Sequence, residues 1–80
     1  MKRVHIRYFA VLRERCGLSE EEVDTDLSTV GELVVFLIAE HRLGLPAALI
    51  RVAIDNKFVD QNHHITQGMS IVLIPPVAGG

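Results

Sequence analysis

The residues best suited to chemistry close this 80-residue sequence: Ile74-Pro75-Pro76-Val77-Ala78-Gly79-Gly80. Pro75 and Pro76 fix φ and carry no backbone N–H, so a strand running into them must stop pairing there. Consecutive prolines also favour an extended, polyproline-like exit. Beyond them stand two small apolar residues and two residues without a Cβ. From Pro75 to Gly80 the chain can reach roughly 20 Å when extended. This makes a thin probe with a carboxylate at its tip, and a Gly-Gly end can thread a channel that rejects side chains. The plain alternative is a frayed terminus. With Gly at about 7% of residues, a terminal pair arises by chance in roughly 0.5% of chains, which makes this end the least ordinary feature of the sequence. A carboxylate is inert until activated. The sequence has no G-x-x-x-x-G-K-[ST] phosphate loop and one Cys, so activation has to come from another protein.

Length and composition set the frame. Eighty residues make one small domain, near the size at which a single core barely suffices. We read residues 1–74 as the folded domain and 75–80 as a flexible tail. Apolar content of 49% and charged content of 22% are ordinary for a globular protein. Eight Lys+Arg against ten Asp+Glu give a net charge of −2, which argues against a nucleic-acid or membrane-surface partner. The longest apolar run, Leu33 to Ala39, is too short to span a bilayer, and Met1-Lys2-Arg3 leads into alternation rather than a signal-peptide core. A single Cys cannot form an internal disulfide, so a reducing cytoplasm is the expected location.

The elements that must position the tail follow in order. Lys2 to Phe9 alternates, with Val4, Ile6 and Tyr8 on one side and Arg3, His5, Arg7 and Phe9 on the other, which predicts a half-buried strand. Ala10 to Cys16 predicts a short helix stopped by Gly17. Glu20 to Asp26 predicts a second strand, antiparallel to the first. Thr29-Val30-Gly31-Glu32 fits a capping box. The helix it opens carries Val30, Leu33, Val34, Leu37 and Ile38 as one apolar stripe and ends near His41 or Arg42, before Gly44 and Pro46. Ile50 to Ile54 predicts a third strand, Asp55-Asn56 a tight turn, and Lys57 to Val59 a short returning strand. After a polar loop and the Gln67-Gly68 turn, Ser70 to Ile74 is apolar on both sides and so belongs at the centre of a sheet.

Strand, strand, helix, strand, strand, strand predicts a two-layer α+β domain of β-grasp type, a mixed sheet with one main helix on one face and the first and last strands parallel neighbours. Alternation places Val4, Ile6, Val52, Ile54, Ile71 and Leu73 under the helix. The opposite face then carries Phe9, Ile74 and Phe58 among Arg7, His5 and Asp55. A contiguous apolar patch on a helix-free face is a candidate partner site, although single surface apolar residues need no explanation.

Four stretches together resemble the MoaD/ThiS sulfur carriers, and within them the small subunits of molybdopterin synthase. They are Arg7-Tyr8-Phe9-Ala10-Val11-Leu12-Arg13-Glu14, Thr29-Val30-Gly31-Glu32-Leu33, Val52-Ala53-Ile54-Asp55-Asn56 and Pro75-Pro76-Val77-Ala78-Gly79-Gly80. The resemblance covers essentially the whole chain. It implies a ubiquitin-like fold and a carrier that is not catalytic on its own and binds no cofactor or metal stably. It further implies that an E1-like adenylating enzyme uses ATP and Mg²⁺ to convert the Gly80 carboxylate to an acyl-adenylate. Sulfur from a persulfide donor, such as a cysteine desulfurase or rhodanese-like protein, then displaces AMP to leave a Gly80 thiocarboxylate. The tail, Pro75 to Gly79, inserts into the synthase large subunit, in a heterotetramer with two carriers, and sulfur passes to cyclic pyranopterin monophosphate. Phe9, Phe58 and Ile74 become the partner-binding patch. The sequence departs from related carriers at Gln67-Gly68-Met69, where Asp-Gly-Asp is common, and at Asp55, where Asn is common.

Other residues invite chemistry less strongly. Cys16 reads as a small apolar residue at a helix end rather than a persulfide site. His63-His64 reads as solvated loop, since adjacent residues point opposite ways. His5 and His41 stand isolated, Arg7, Arg13 and Arg51 read as surface charges able to meet acids on a partner, and Glu20-Glu21-Glu22 as a solvated strand start. Alternatives to the molybdenum-cofactor role are sulfur delivery for thiamine or tRNA thiolation, a protein modifier joined through Gly80, and a β-grasp interaction module whose tail is idle.

Overall fold

In the computed structural model, which describes residues 1–76, β1 (Lys2–Tyr8) buries Val4, Ile6 and Tyr8 and turns the alternate residues outward. A short helix, α1 (Ala10–Cys16), follows and ends where Gly17 adopts φ +79°, its N–H bonding back to Arg13 O. This left-handed cap is the conformation that glycine takes at least cost. β2 (Glu20–Thr25) returns antiparallel to β1. The main helix, α2 (Val30–His41), crosses one face. A single 3₁₀ turn (Ala47–Leu49) leads into β3 (Arg51–Ile54), β4 (Lys57–Val59) and β5 (Ser70–Ile74). The sheet order is β2-β1-β5-β3-β4, with β1 and β5 parallel and every other pair antiparallel. This is the β-grasp arrangement expected from the sequence, and β5 is its central strand.

The core is one cluster between the sheet and α2. Val30, Leu33, Val34 and Leu37 of the helix pack with Val4, Ile6, Val52, Ile71 and Leu73 of the sheet, with Ile38 and Ile54 half-buried at its edge. The helix ends at His41, within the expected limits, but the stop is made by Arg42 and not by Gly44 and Pro46. Arg42 itself takes the left-handed cap at φ +53°, and the N–H groups of Arg42 and Leu43 both bond to Ile38 O. The Leu43 side chain is then fully buried, the apolar contact that commonly accompanies such a cap. Ile65, in the stretch expected to be wholly polar loop, is also core.

That loop has a second task. The capping box forms as predicted, with Glu32 N–H bonding Thr29 Oγ1 at 3.3 Å and Thr29 N–H bonding Glu32 Oε1 at 3.0 Å. The other free N–H groups of the first turn are met by the loop: Val30 bonds His63 O at 2.9 Å and Gly31 bonds Gln61 O at 3.0 Å. This close approach explains Gly31. A Cβ there would stand 2.8 Å from Gln61 Cβ and 2.9 Å from Gln61 O. Gly31→Ala is expected to destabilise the fold by about 1–3 kcal/mol through overpacking, read from the urea midpoint, with helix propensity working in the opposite direction.

The view of Glu20-Glu21-Glu22 as uniformly solvated is also corrected, and His41 is not isolated. β2 alternation turns Glu21 to the helix side with Val23 and Thr25. There Glu21 Oε2 accepts from Tyr8 Oη at 2.5 Å and lies 2.6 Å from His41 Nε2 in the last turn of α2. Burial, then the Glu21 hydrogen bond, pushes the Tyr8 hydroxyl above the ordinary phenol range. The folded state thus holds a proton that the unfolded chain releases near pH 10, so stability falls as pH rises beyond about 10. Tyr8→Phe should cost about 2 kcal/mol at neutral pH, for a lost hydrogen bond to a charged group, and should remove the tyrosine share of that alkaline loss. Equal alkaline slopes in both proteins would contradict this.

Candidate functional site

The face opposite α2 is shaped by cross-strand register. Arg7, Val72, Ala53 and Phe58 form one row across β1, β5, β3 and β4, and Arg51 lies opposite Ile74 in the next. Val72 and Ala53 are short, so the middle of the row is low between taller neighbours. The result is an open groove of roughly 810 Å³, whose lining includes Phe9, Phe58 and Ile74. Phe9 is 41% exposed and Phe58 57% exposed, while Ile74 is half-buried.

Local geometry fixes both phenylalanines. Phe9 is extended at φ −121°, and Ala10 then takes φ +50°, which turns the chain out of the sheet into α1. A left-handed alanine costs on the order of 1 kcal/mol, a strain held by the surrounding fold beside the groove. On the other bank, Asp55 and Asn56 both have positive φ, 53° and 67°, the requirement of a two-residue type I′ turn. That turn sets β4 in register so that Phe58 faces Ala53.

Arginines lie over both rings. The Arg51 guanidinium carbon is 3.9 Å from the Phe58 centroid, and that of Arg7 is 5.4 Å from the Phe9 centroid. Arg3 is used differently, paired with Asp24 at 2.9 Å; this hydrogen bond is the main cause that holds the Asp24 carboxyl below its ordinary range.

The structure therefore brings together Phe9, Phe58 and Ile74 as expected, with Arg7. Pro75 is buried and Pro76 exposed, and both line the groove, so the chain leaves the sheet at this site. The tail residues Val77, Ala78, Gly79 and Gly80 lie outside the described residues. Two expected neighbours do not line the groove. His5 is held between Glu20 (2.9 Å) and Glu22 (3.7 Å), and Asn56 rather than Asp55 reaches the lining. Sequence reasoning missed Ala53 and Val72 as the floor, although alternation with Val52 and Leu73 was the signal that could have found them.

Among the described residues, no group of three or more His, Cys, Asp or Glu could hold a metal ion. Cys16 packs against the core and its sulfur accepts from Leu18 N–H at 3.4 Å. His63 and His64 are exposed. No helix in the described residues is long and apolar enough to cross a membrane.

Comparison with known proteins agrees with this geometry. The ThiS family model matches residues 6–80. The chain is 30% identical to the molybdopterin synthase sulfur carrier subunit of Escherichia coli, over 96% of this chain and 99% of that one. The structure resembles a putative molybdopterin converting factor subunit 1 from Pyrococcus furiosus, with a TM-score of 0.80, 22% identity and coverage of 96% and 100% of the two chains. It also resembles SAMP1 from Haloferax volcanii, with a TM-score of 0.78, 26% identity and coverage of 98% and 99%. On the strength of a match that spans almost its whole length, this chain belongs to the ThiS family.

Proposed function

We propose that this chain is the sulfur carrier of a molybdopterin synthase, and that Gly80 carries sulfur as a thiocarboxylate. One observation carries the reading: the apolar groove of Phe9, Phe58 and Ile74 lies where Pro75 and Pro76 take the chain off the sheet. One contact can therefore hold the domain while the following residues reach into a partner. The likeness to the Escherichia coli carrier subunit supports the pathway.

The chemistry asks little of the folded body. An E1-like enzyme adenylates the Gly80 carboxylate with ATP and releases pyrophosphate. AMP is then a far better leaving group than oxide. The terminal sulfur of a donor persulfide displaces it to form an acyl disulfide. A second thiol of the donor system reduces that disulfide, forming its own disulfide and releasing the Gly80 thiocarboxylate. Within the synthase large subunit the thiocarboxylate attacks cyclic pyranopterin monophosphate. The carrier needs no base of its own. Docking must be strong enough to orient and weak enough to release. Three apolar side chains yield about 1.5–3 kcal/mol each when fully buried, against an association cost of roughly 4–15 kcal/mol. The groove alone binds weakly and tail insertion adds the rest, which suits a carrier that visits two partners in turn.

The test is intact-mass analysis of the chain from cells making molybdenum cofactor, followed by incubation with cyclic pyranopterin monophosphate and the large subunit. Replacement of one oxygen by sulfur, lost as molybdopterin forms, is the expected result. A chain that stays unmodified in such cells overturns the reading. A second reading, a protein modifier joined through Gly80, draws on the likeness to SAMP1, a small archaeal modifier protein. Its signature is isopeptide-linked Gly-Gly remnants on lysines of other proteins in a digest.

A further inference from the structure

Of the arginines on the open face of the sheet, Arg3 is neutralised by Asp24, at 2.9 Å and 3.2 Å. Arg7 has Glu20 as its register partner, but a Glu20 oxygen is 2.9 Å from His5. Among the described residues, neither Arg7 nor Arg51 makes an ion pair, and each lies over a phenylalanine of the groove. The chain as a whole is acidic, yet among the described residues its docking face holds two guanidinium groups without an ion pair and one lining carboxylate, Glu14.

Stacking decides what these groups can do. A guanidinium binds a ring with its flat face, and its N–H donors lie in the plane, at its edges. At 3.9 Å from the Phe58 centroid the Arg51 guanidinium is at stacking distance, and a guanidinium stacked by its face keeps its edges for an acceptor. The ring also limits its rotamers, so less ordering remains to be done on binding. A planar fork held this way matches a carboxylate in bidentate geometry.

We propose that Arg51, assisted by Arg7, is a specificity residue for the docking partner, and that the partner is a protein surface with an apolar centre rimmed by carboxylates that meet these two guanidinium groups edge-on. This rests on the carrier reading above. An exposed ion pair on a rim contributes little. Here the phenylalanines beneath exclude water once the groove is covered, which strengthens the pair.

The experiment titrates the full chain and its variants into the molybdopterin synthase large subunit of the same genome, by calorimetry and by stopped-flow at several salt concentrations. Arg51→Ala is expected to weaken binding about 10-fold, the scale of a hydrogen bond to a charged group. Arg51→Lys should recover part of the loss, since it keeps charge without the fork. The association rate of the Arg7→Ala/Arg51→Ala double variant should depend less on salt than that of the parent chain. Unchanged or tighter binding by Arg51→Ala, with Phe58→Ala still weakened, overturns the proposal by showing that Arg51 merely covers its ring, and leaves the carrier reading intact. Failure of the parent chain itself to bind overturns the carrier reading and this proposal with it.

Discussion

Removal of Gly80 should abolish sulfur transfer and leave the fold untouched. The shortened chain still ends in a carboxylate, on Gly79, so the loss is one of position rather than of chemistry. One residue shortens the reach by about 3.5 Å. A misplacement of about 1 Å at a reacting centre already costs on the order of 100-fold. Transfer to cyclic pyranopterin monophosphate should therefore drop by more than that, and the thiocarboxylate should vanish from the mass spectrum if adenylation is equally strict. The urea midpoint should not move. Gly80→Ala separates reach from width, since it restores length and adds one methyl. Substantial transfer by the shortened chain would mean that the position of the terminal carboxylate does not limit transfer, because Gly79 then serves in place of Gly80.

Leu73→Ala should cause a large loss of stability. Leu73 is fully buried in the central strand, opposite Tyr8 on one side and Val52 on the other. Truncating such a leucine costs about 2–5 kcal/mol, the spread reflecting how far the site can collapse. A domain of this length has a total stability of roughly 4–12 kcal/mol, so the variant stands near the edge of folding at 37 °C. Leu73→Met, nearly equal in volume, should cost less than about 1.5 kcal/mol. Leu73 points away from the groove, so in the cold, where the variant is folded, groove binding should match the parent. A joint loss of stability and binding in fully folded protein would show that the two faces are coupled.

Much of this was legible in the sequence because the signals were periodic or chemically specific. Alternation in β1 placed Val4, Ile6 and Tyr8 correctly, the two-sided apolar run from Ser70 to Ile74 put β5 at the centre, and Thr29 with Glu32 marked the start of α2. Asp55-Asn56 named its own turn. What escaped depended on distance along the chain. Nothing local to His41 or Glu21 announces that a helix end and a strand will meet over Tyr8. Ile65 is one apolar residue among polar ones, and it enters the core because its loop is pinned to the first turn of α2. Arg42 closes its helix in a conformation that its residue type does not favour, held there by the burial of Leu43 next to it. Of the candidate site, the apolar members were readable as an odd set on the polar side of alternating strands. The low floor of Ala53 and Val72 required the register of four strands, which no short stretch encodes.

The parallel pairing of β1 with β5 has a consequence for the birth of the molecule. The strand made first waits for the strand made last, and at roughly 5–20 residues per second that interval is on the order of seconds. Until then β1 and β3 each lack their inner neighbour, and β5 fills both gaps in one step. Such long-range closure is intrinsically slow compared with helix formation. The groove takes Phe9 from the early part of the chain, Phe58 from the later part and Ile74 from the final strand, so it exists only on a finished domain. Any protein that recognises the groove therefore recognises only a domain in which β5 is already in place.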